Sequence, residues 1–213
     1  MFVSPSRLTH RPMKSFASFS PRPATSSPAR PLTSALAQLA ESVTPAELRA
    51  YAFTYVFRGL VVMVAALSNY ALEHVGFAAP WLPWVVLMPP AAVVQAVRGR
   101  RQQSLASASA TARQMRLLQK SFLLVLLISL ASATQIGWAN AHPLILVLYG
   151  VGTVAAGRVL GFRPLLWGGA ACGLLGAVAA LVAVDTQLLF IAGAMLVSYV
   201  IPGYLLHLRA RMA

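Results

Sequence analysis

The sequence predicts an all-α protein: a polytopic transmembrane helix bundle of six spans with both termini in the cytoplasm. Three observations carry that expectation. The chain of 213 residues is 58% hydrophobic with only 10% charged residues, and its mean hydropathy is +0.71. Soluble domains carry about 25% charged residues, so a chain this poor in charge needs the bilayer as its solvent. Apolar runs of about 20 residues, the length that crosses the hydrocarbon, follow one another six times. The cations fall in alternate connections between them, which assigns each connection a side.

Residues 1–43 read as a disordered, basic, Ser/Pro-rich tail, and residues 44–213 as the six-helix transmembrane domain. The tail carries Arg7, Arg11, Lys14, Arg22 and Arg30, and its prolines at 5, 12, 21, 23, 28 and 31 prevent a long helix. It lacks the apolar segment of a secretory signal. Three readings compete: a cytoplasmic tail held near lipid by its charges, which we favour; a later translation start, for example Met13; and an organelle transit peptide, which its Arg/Ser-rich, acid-poor composition would suit.

Thr44-Pro45-Ala46-Glu47 is a helix start, with Thr44 as N-cap, Pro45 at the first helical position and Glu47 closing a capping box. The helix runs on through the first span, whose most apolar part is Gly59 to Leu72. Arg58 stands at the near end of that part; it reads either as an intramembrane binding or gating charge or, as we favour, as a long cation that snorkels to the headgroups. The second span is Pro80 to Val97. Trp81 and Trp84 suit an interfacial belt, and Pro89-Pro90 remove two backbone donors near its middle, which predicts a kink. Arg98 to Lys120 follows, with six cations and no acid. Leu105, Ala108, Ala112, Met115, Gln119 and Phe122 recur in it at helical steps. That predicts a helix lying on or rising into the membrane, or a solvated extension of the third span.

The third span is Ser121 to Ala139, the fourth Pro143 to Leu160, the fifth Pro164 to Val184 and the sixth Gln187 to Leu208. Their connections are short, so spans three to six are expected as two antiparallel hairpins side by side. Gly169 and Gly173 form a GxxxG in the fifth span, and Gly150, Gly152, Ala156 and Gly157 give the fourth a small-residue face. The sequence leaves open whether these faces meet within one chain or between chains.

Orientation follows from the cations. The N-terminal side has Arg7, Arg11, Lys14, Arg22, Arg30 and Arg49; the second connection has Arg98, Arg100, Arg101, Arg113, Arg116 and Lys120; the fourth has Arg158 and Arg163; the C-terminus has Arg209 and Arg211. The first connection (Glu73 to Ala79), the third (Asn140 to His142) and the fifth (Asp185-Thr186) have none. The positive-inside rule then places both termini in the cytoplasm.

The net charge of +13 would suggest nucleic acid in a soluble protein. Here the cations sit between spans, so the expected partners are the lipid bilayer and its anionic headgroups, at roughly 1 kcal/mol per cation near the surface, and no nucleic acid. A homo-oligomer or another membrane protein stays open as a further partner. Cys172 stands alone, so there is no intramolecular disulfide.

The spans hold no Asp, Glu, Lys or His in their interiors, which argues against a proton relay or ion pump. Nucleotide, hydrolase and zinc-protease motifs are missing. We therefore assign no catalytic, cofactor-binding or metal-binding residues and expect no enzyme and no cofactor. Glu73, His74, His142 and Asp185 gather at the outer ends, where such residues are ordinarily plain loop polars rather than metal ligands. The function expected is that of a non-enzymatic binding or accessory membrane protein. The alternative is a small transporter or channel with a pathway near Pro89-Pro90 and Pro202-Gly203, drawing on Asn69, Tyr70, Gln95, Gln135, Thr153, Ser198 and Tyr199.

A run of residues also carries a resemblance. Tyr149-Gly150-Val151-Gly152-Thr153, Gly157, Leu160, Phe162-Arg163-Pro164-Leu165, Gly168-Gly169 and Cys172 follow in order. Gln187-Leu188-Leu189 and Ser198 to Leu206 (SYVIPGYLL) come later, with Phe57-Arg58-Gly59-Leu60-Val61 and Leu87-Met88-Pro89 in the first half. Over about residues 45–208 the chain resembles a group of small, uncharacterised six-span integral membrane proteins of Gram-negative bacteria. The resemblance implies a multi-pass protein of a bacterial inner membrane and implies no activity.

Overall fold

Thr44 starts the first helix as its neighbours dictate. Its hydroxyl accepts from the Glu47 N–H at 3.3 Å, and the Glu47 carboxylate accepts from the Thr44 N–H at 2.9 Å. Pro45 brings no N–H, so two of the three orphan donors at the helix start are satisfied in this way. The computed structural model describes residues 44–105 and 110–212, and every regular element among them is helical. The expected tail, residues 1–43, lies outside the described residues, as does Ala108 of the expected amphipathic stripe.

Six rods result: α1 Pro45–His74, α2 Leu82–Leu105, α3 Ala110–Ile136, α4 Trp138–Val159, α5 Arg163–Ala179 and α6 Val184–Met212. Among the described residues all but α5 are long and apolar enough to cross a membrane; α5 is apolar but has 17 residues, about 25 Å of helix.

Three boundaries differ from the sequence expectation. The third span ends earlier, because Gly137 adopts φ +79° and turns the chain by itself. Asn140 to His142, expected as a loop, are thus the first turns of α4. The fifth span ends at Ala179, not Val184; the reversal is made by Ala180 to Ala183, with Ala183 capping α6. Asp185, expected in the connection, stands in the first turn of α6, where a carboxylate suits the helix dipole. The helix of the second span runs on to Leu105, and its helical assignment is unbroken at Pro89 and Pro90.

The most extensive pairing is α4 on α5, which lies between the two expected hairpins rather than within either. Glycine is the reason. A Cβ on Gly150 would lie 2.7 Å from the Gly169 carbonyl oxygen and from the Gly173 nitrogen, and one on Gly169 would lie 2.7 Å from the Gly150 oxygen. The backbones touch, so the small faces of the two helices meet within one chain. Lipid is as apolar as leucine, so such close packing, not apolar burial, is what holds membrane helices together.

α6 runs through the middle of the bundle against α1 and α5. Its sequence carries Pro202, which has no N–H and whose ring would crowd the carbonyl four residues back. The helix widens there into a π turn, Leu196–Val200, in which the Ile201 N–H reaches back to the Leu196 oxygen. The widened turn packs on α1: a Cβ on Gly59 would meet Tyr199 Cβ at 2.7 Å. Outward, the rods present Leu123, Leu124, Leu127 and Ile128 of α3 and Leu174 and Trp167 of α5, all exposed apolar side chains that a lipid solvent would cover.

Candidate functional site

Among the described residues α2 packs on α1 and α3 packs on α4, with no comparable packing of α2 on α3. An open groove of about 50 Å³ is walled by α1, α3, α4 and α6. Its polar landmark is Arg58. The Nε and Nη2 groups of Arg58 both donate to Gln95 Oε1 on α2, at 3.1 and 2.7 Å. Across the groove the guanidinium carbon lies 6.0 Å from the Phe122 ring centre on α3. The structure adds to the sequence reading of Arg58 that its head is held by Gln95 of α2.

Aromatic rings continue from Phe122 across the floor. Phe122 meets Tyr149 edge-on at 5.0 Å, Tyr149 meets Tyr199 at 5.6 Å, and Tyr199 meets Tyr55 at 5.3 Å. Glycine makes room for the first contact, since a Cβ on Gly152 would lie 2.9 Å from the Phe122 ring. Tyr149 and Tyr199 are buried, so the rings form a rigid wall. Edge-to-face pairs of this kind contribute about 0.5–1.5 kcal/mol each beyond area.

The electrostatics of the groove are one-sided. A guanidinium has five N–H donors; two are given to Gln95, and no described residue takes the other three. Among the described residues no carboxylate approaches it. Glu47 and Glu73 on the same helix stand about 16 and 22 Å away along the axis, and Asp185 is at the opposite end of the bundle, on the first turn of α6. An arginine within a spanning helix costs about 2.5–3.5 kcal/mol on insertion scales. A charge-assisted hydrogen bond returns about 1.5–3 kcal/mol, and a cation–π contact at this distance returns less than 1. The charge is thus solvated but not neutralised.

The remaining sequence candidates are dispersed. Thr153 and Ser198 bond back to their own helices, to the Tyr149 and Ala194 carbonyls at 2.7 and 2.6 Å. Tyr70 stacks on His74 at 4.1 Å, Gln135 is exposed, and Asn69 Oδ1 is buried without a hydrogen-bond partner. Pro89 and Pro90 lie on the exposed side of α2, while Pro202 and Gly203 are buried. A Cβ on Gly203 would meet Val56 and Tyr55 within 3.0 Å, so that break is closed by packing. None of these four residues lines the groove. His142 pairs with Gln187, Nδ1 to Oε1 at 3.2 Å, and Gln187 Nε2 donates to the Ala139 and Val182 carbonyls at 3.0 and 3.3 Å. Among the described residues no three of His, Cys, Asp and Glu stand together as a metal site would require.

The site was partly visible in advance. Arg58 and Gln95 were each singled out, but nothing in their spacing shows that they meet. Comparison with protein-family models, curated proteins and solved structures finds no match.

Proposed function

We propose that this chain is a six-span, multi-pass protein of a bacterial inner membrane, with both termini in the cytoplasm, that works by binding rather than by catalysis. The observation that carries the reading is the Arg58 groove: a fixed cation between a neutral amide and a wall of rings, with no nucleophile beside a base and no carboxylate pair. Such a place can hold an anion and has no means to transform one.

Several features support the threading. Every described Lys and Arg except Arg58, which stands midway along α1, belongs to the end of the bundle that joins the start of α1 to the end of α6, where Arg49 Nε donates to the Ala210 carbonyl at 3.4 Å and Arg209 to the Gly161 carbonyl at 3.5 Å. Glu73, His142 and Asp185 belong to the other end. α5, though short, connects the two ends: Gly161 before it accepts from Arg209, and Val182 after it accepts from Gln187. A span a few ångströms under ~30 Å is accommodated by local thinning of the bilayer. The Gram-negative six-span group that the chain resembles fits the same placement.

A flux assay tests the reading. Protein reconstituted in proteoliposomes should pass no ions or small solutes above the protein-free background, with wild type, Pro89→Ala and Pro202→Ala alike. Flux that falls on substitution of Pro89 or Pro202 would establish the transporter alternative instead. A homo-oligomer or a second membrane protein as binding partner would appear on cross-linking in native membranes.

A further inference from the structure

We propose that the Arg58–Gln95 groove is a site for one anionic phospholipid, with its phosphodiester on Arg58 and its acyl chains lying in the parting between α2 and α3. The inference rests on the binding reading above and names its ligand.

Charge calls for an anion. Arg58 keeps three donors unused and has no acid within about 16 Å along its own helix. Arginine presents those donors as a planar fork that suits the oxygens of a phosphate. Gln95 Oε1 takes Nε and Nη2, which fixes the guanidinium plane before any ligand arrives. Size excludes a large cargo: sites for drug-sized molecules run to about 300–1,000 Å³, whereas about 50 Å³ suits a single phosphate group.

Depth and access point to lipid rather than to a soluble anion. Gln95 stands three residues before Arg98 on α2, and Phe122 two residues after Lys120 on α3, so the guanidinium lies within about one helical turn of both cations. Arg98 is at the surface, stacked 3.8 Å over Phe53. A lipid phosphate at headgroup level can therefore drop onto Arg58 while its chains remain in hydrocarbon. The way in is sideways, between two helices that present Val93, Val94 and Leu117 outward. An acyl chain meets apolar surface along that route, whereas free phosphate would have to leave water.

Native mass spectrometry of the full chain, released from lipid discs of equal phosphatidylglycerol and phosphatidylethanolamine, tests this. Wild type should retain one phosphatidylglycerol. Arg58→Gln should weaken retention at least tenfold, and so should Gln119→Trp, which leaves the cation in place and fills the groove from an exposed position. Arg98→Gln should change it less than threefold. Circular dichroism melts establish which variants fold; should Arg58→Gln fail to fold, Gln119→Trp alone decides. Wild-type retention by both variants overturns the proposal. Loss with Arg58→Gln but not with Gln119→Trp also overturns it, by placing the lipid outside the groove. Displacement of the lipid by millimolar inorganic phosphate overturns the lipid assignment in favour of a soluble anion. The underlying reading fails differently: it falls if proteoliposomes show flux that depends on Arg58, whatever the lipid does.

Discussion

Gly150 packs against the backbone of Gly173 across the α4–α5 contact, while the Cβ direction of Gly173 is open, so the same substitution should act in opposite directions at the two. In Gly150→Ala the new methyl lies 2.7 Å from the Gly169 oxygen and the Gly173 nitrogen, and 3.0 Å from the Gly173 Cα. Ordinary contact starts near 3.4 Å, so the two helices must separate by roughly 0.7 Å against backbone that cannot rotate away. Overpacking of this kind costs about 1–3 kcal/mol, and backbone obstacles put it at the upper end. Removing a glycine from a helix interior returns about 0.5–1 kcal/mol, leaving a net loss of roughly 2. In Gly173→Ala the methyl meets nothing within 4 Å, so only the gain of about 0.5–1 kcal/mol remains. The assay is unfolding in mixed micelles of mild detergent and sodium dodecyl sulfate, followed by circular dichroism. Cys172 supplies a second readout: it is buried at the same contact, with its Sγ 3.4 Å from the Leu146 oxygen. Maleimide should label it faster in Gly150→Ala than in wild type. Equal stability of the two alanine variants would refute the claim that backbone contact holds α4 to α5.

Three further outcomes follow from the same structure. Gln187→Leu removes the amide that ties the Ala139 and Val182 carbonyls to α6 and should cost about 2 kcal/mol in the same assay, with Gln187→Asn too short to rescue it. Neutralising Arg98, Arg100 and Arg101 together should invert or mix the topology read by reporter fusions before it alters stability, and fusions at Asp185-Thr186 should report the outer side in wild type. Thr44→Ala should raise amide exchange in the first turn of α1 by about fivefold, from the loss of about 1 kcal/mol of capping.

How far the sequence was legible depends on the physics of each feature. The capping box at Thr44 and Glu47 was readable to the residue, because it is a local contact between residue types at fixed spacing. The stripe through Ala112, Met115 and Phe122 was readable as one face. Ala112 and Met115 are buried and Phe122 packs on Tyr149, so this stripe is the inner face of α3, in line with the extension reading. The turns at Gly137 and at Ala180–Ala183 were misplaced because apolar residues reverse the chain there without a polar loop to mark the break, and hydropathy does not register direction. The glycine faces of α4 and α5 were visible as faces, but their partner was not, since a small-residue surface fits any other. The Arg58–Gln95 pair joins residues 37 apart, and no periodicity records which helix a polar side chain will face.

The uneven packing of the bundle gives the groove its meaning. Half of the residues in the apolar stretch of α6 are buried, against 6% in α2 and 11% in α3. The rods α1, α4, α5 and α6 are locked by glycine contacts and by the π turn that lets Pro202 sit between α5 and α1. Among the described residues α2 packs mainly on α1 and α3 mainly on α4. Those two are joined through the connection that follows Arg98, the most basic part of the membrane domain. The fixed charge of Arg58 has its floor set by the rings of Phe122, Tyr149, Tyr199 and Tyr55 and lies near the basic side chains Arg98 and Lys120. If Arg58 holds an anion as proposed, the cations of the Arg98–Lys120 connection supply a positive field beside it, so that an anion drawn to the surface at Arg98 would be led toward Arg58.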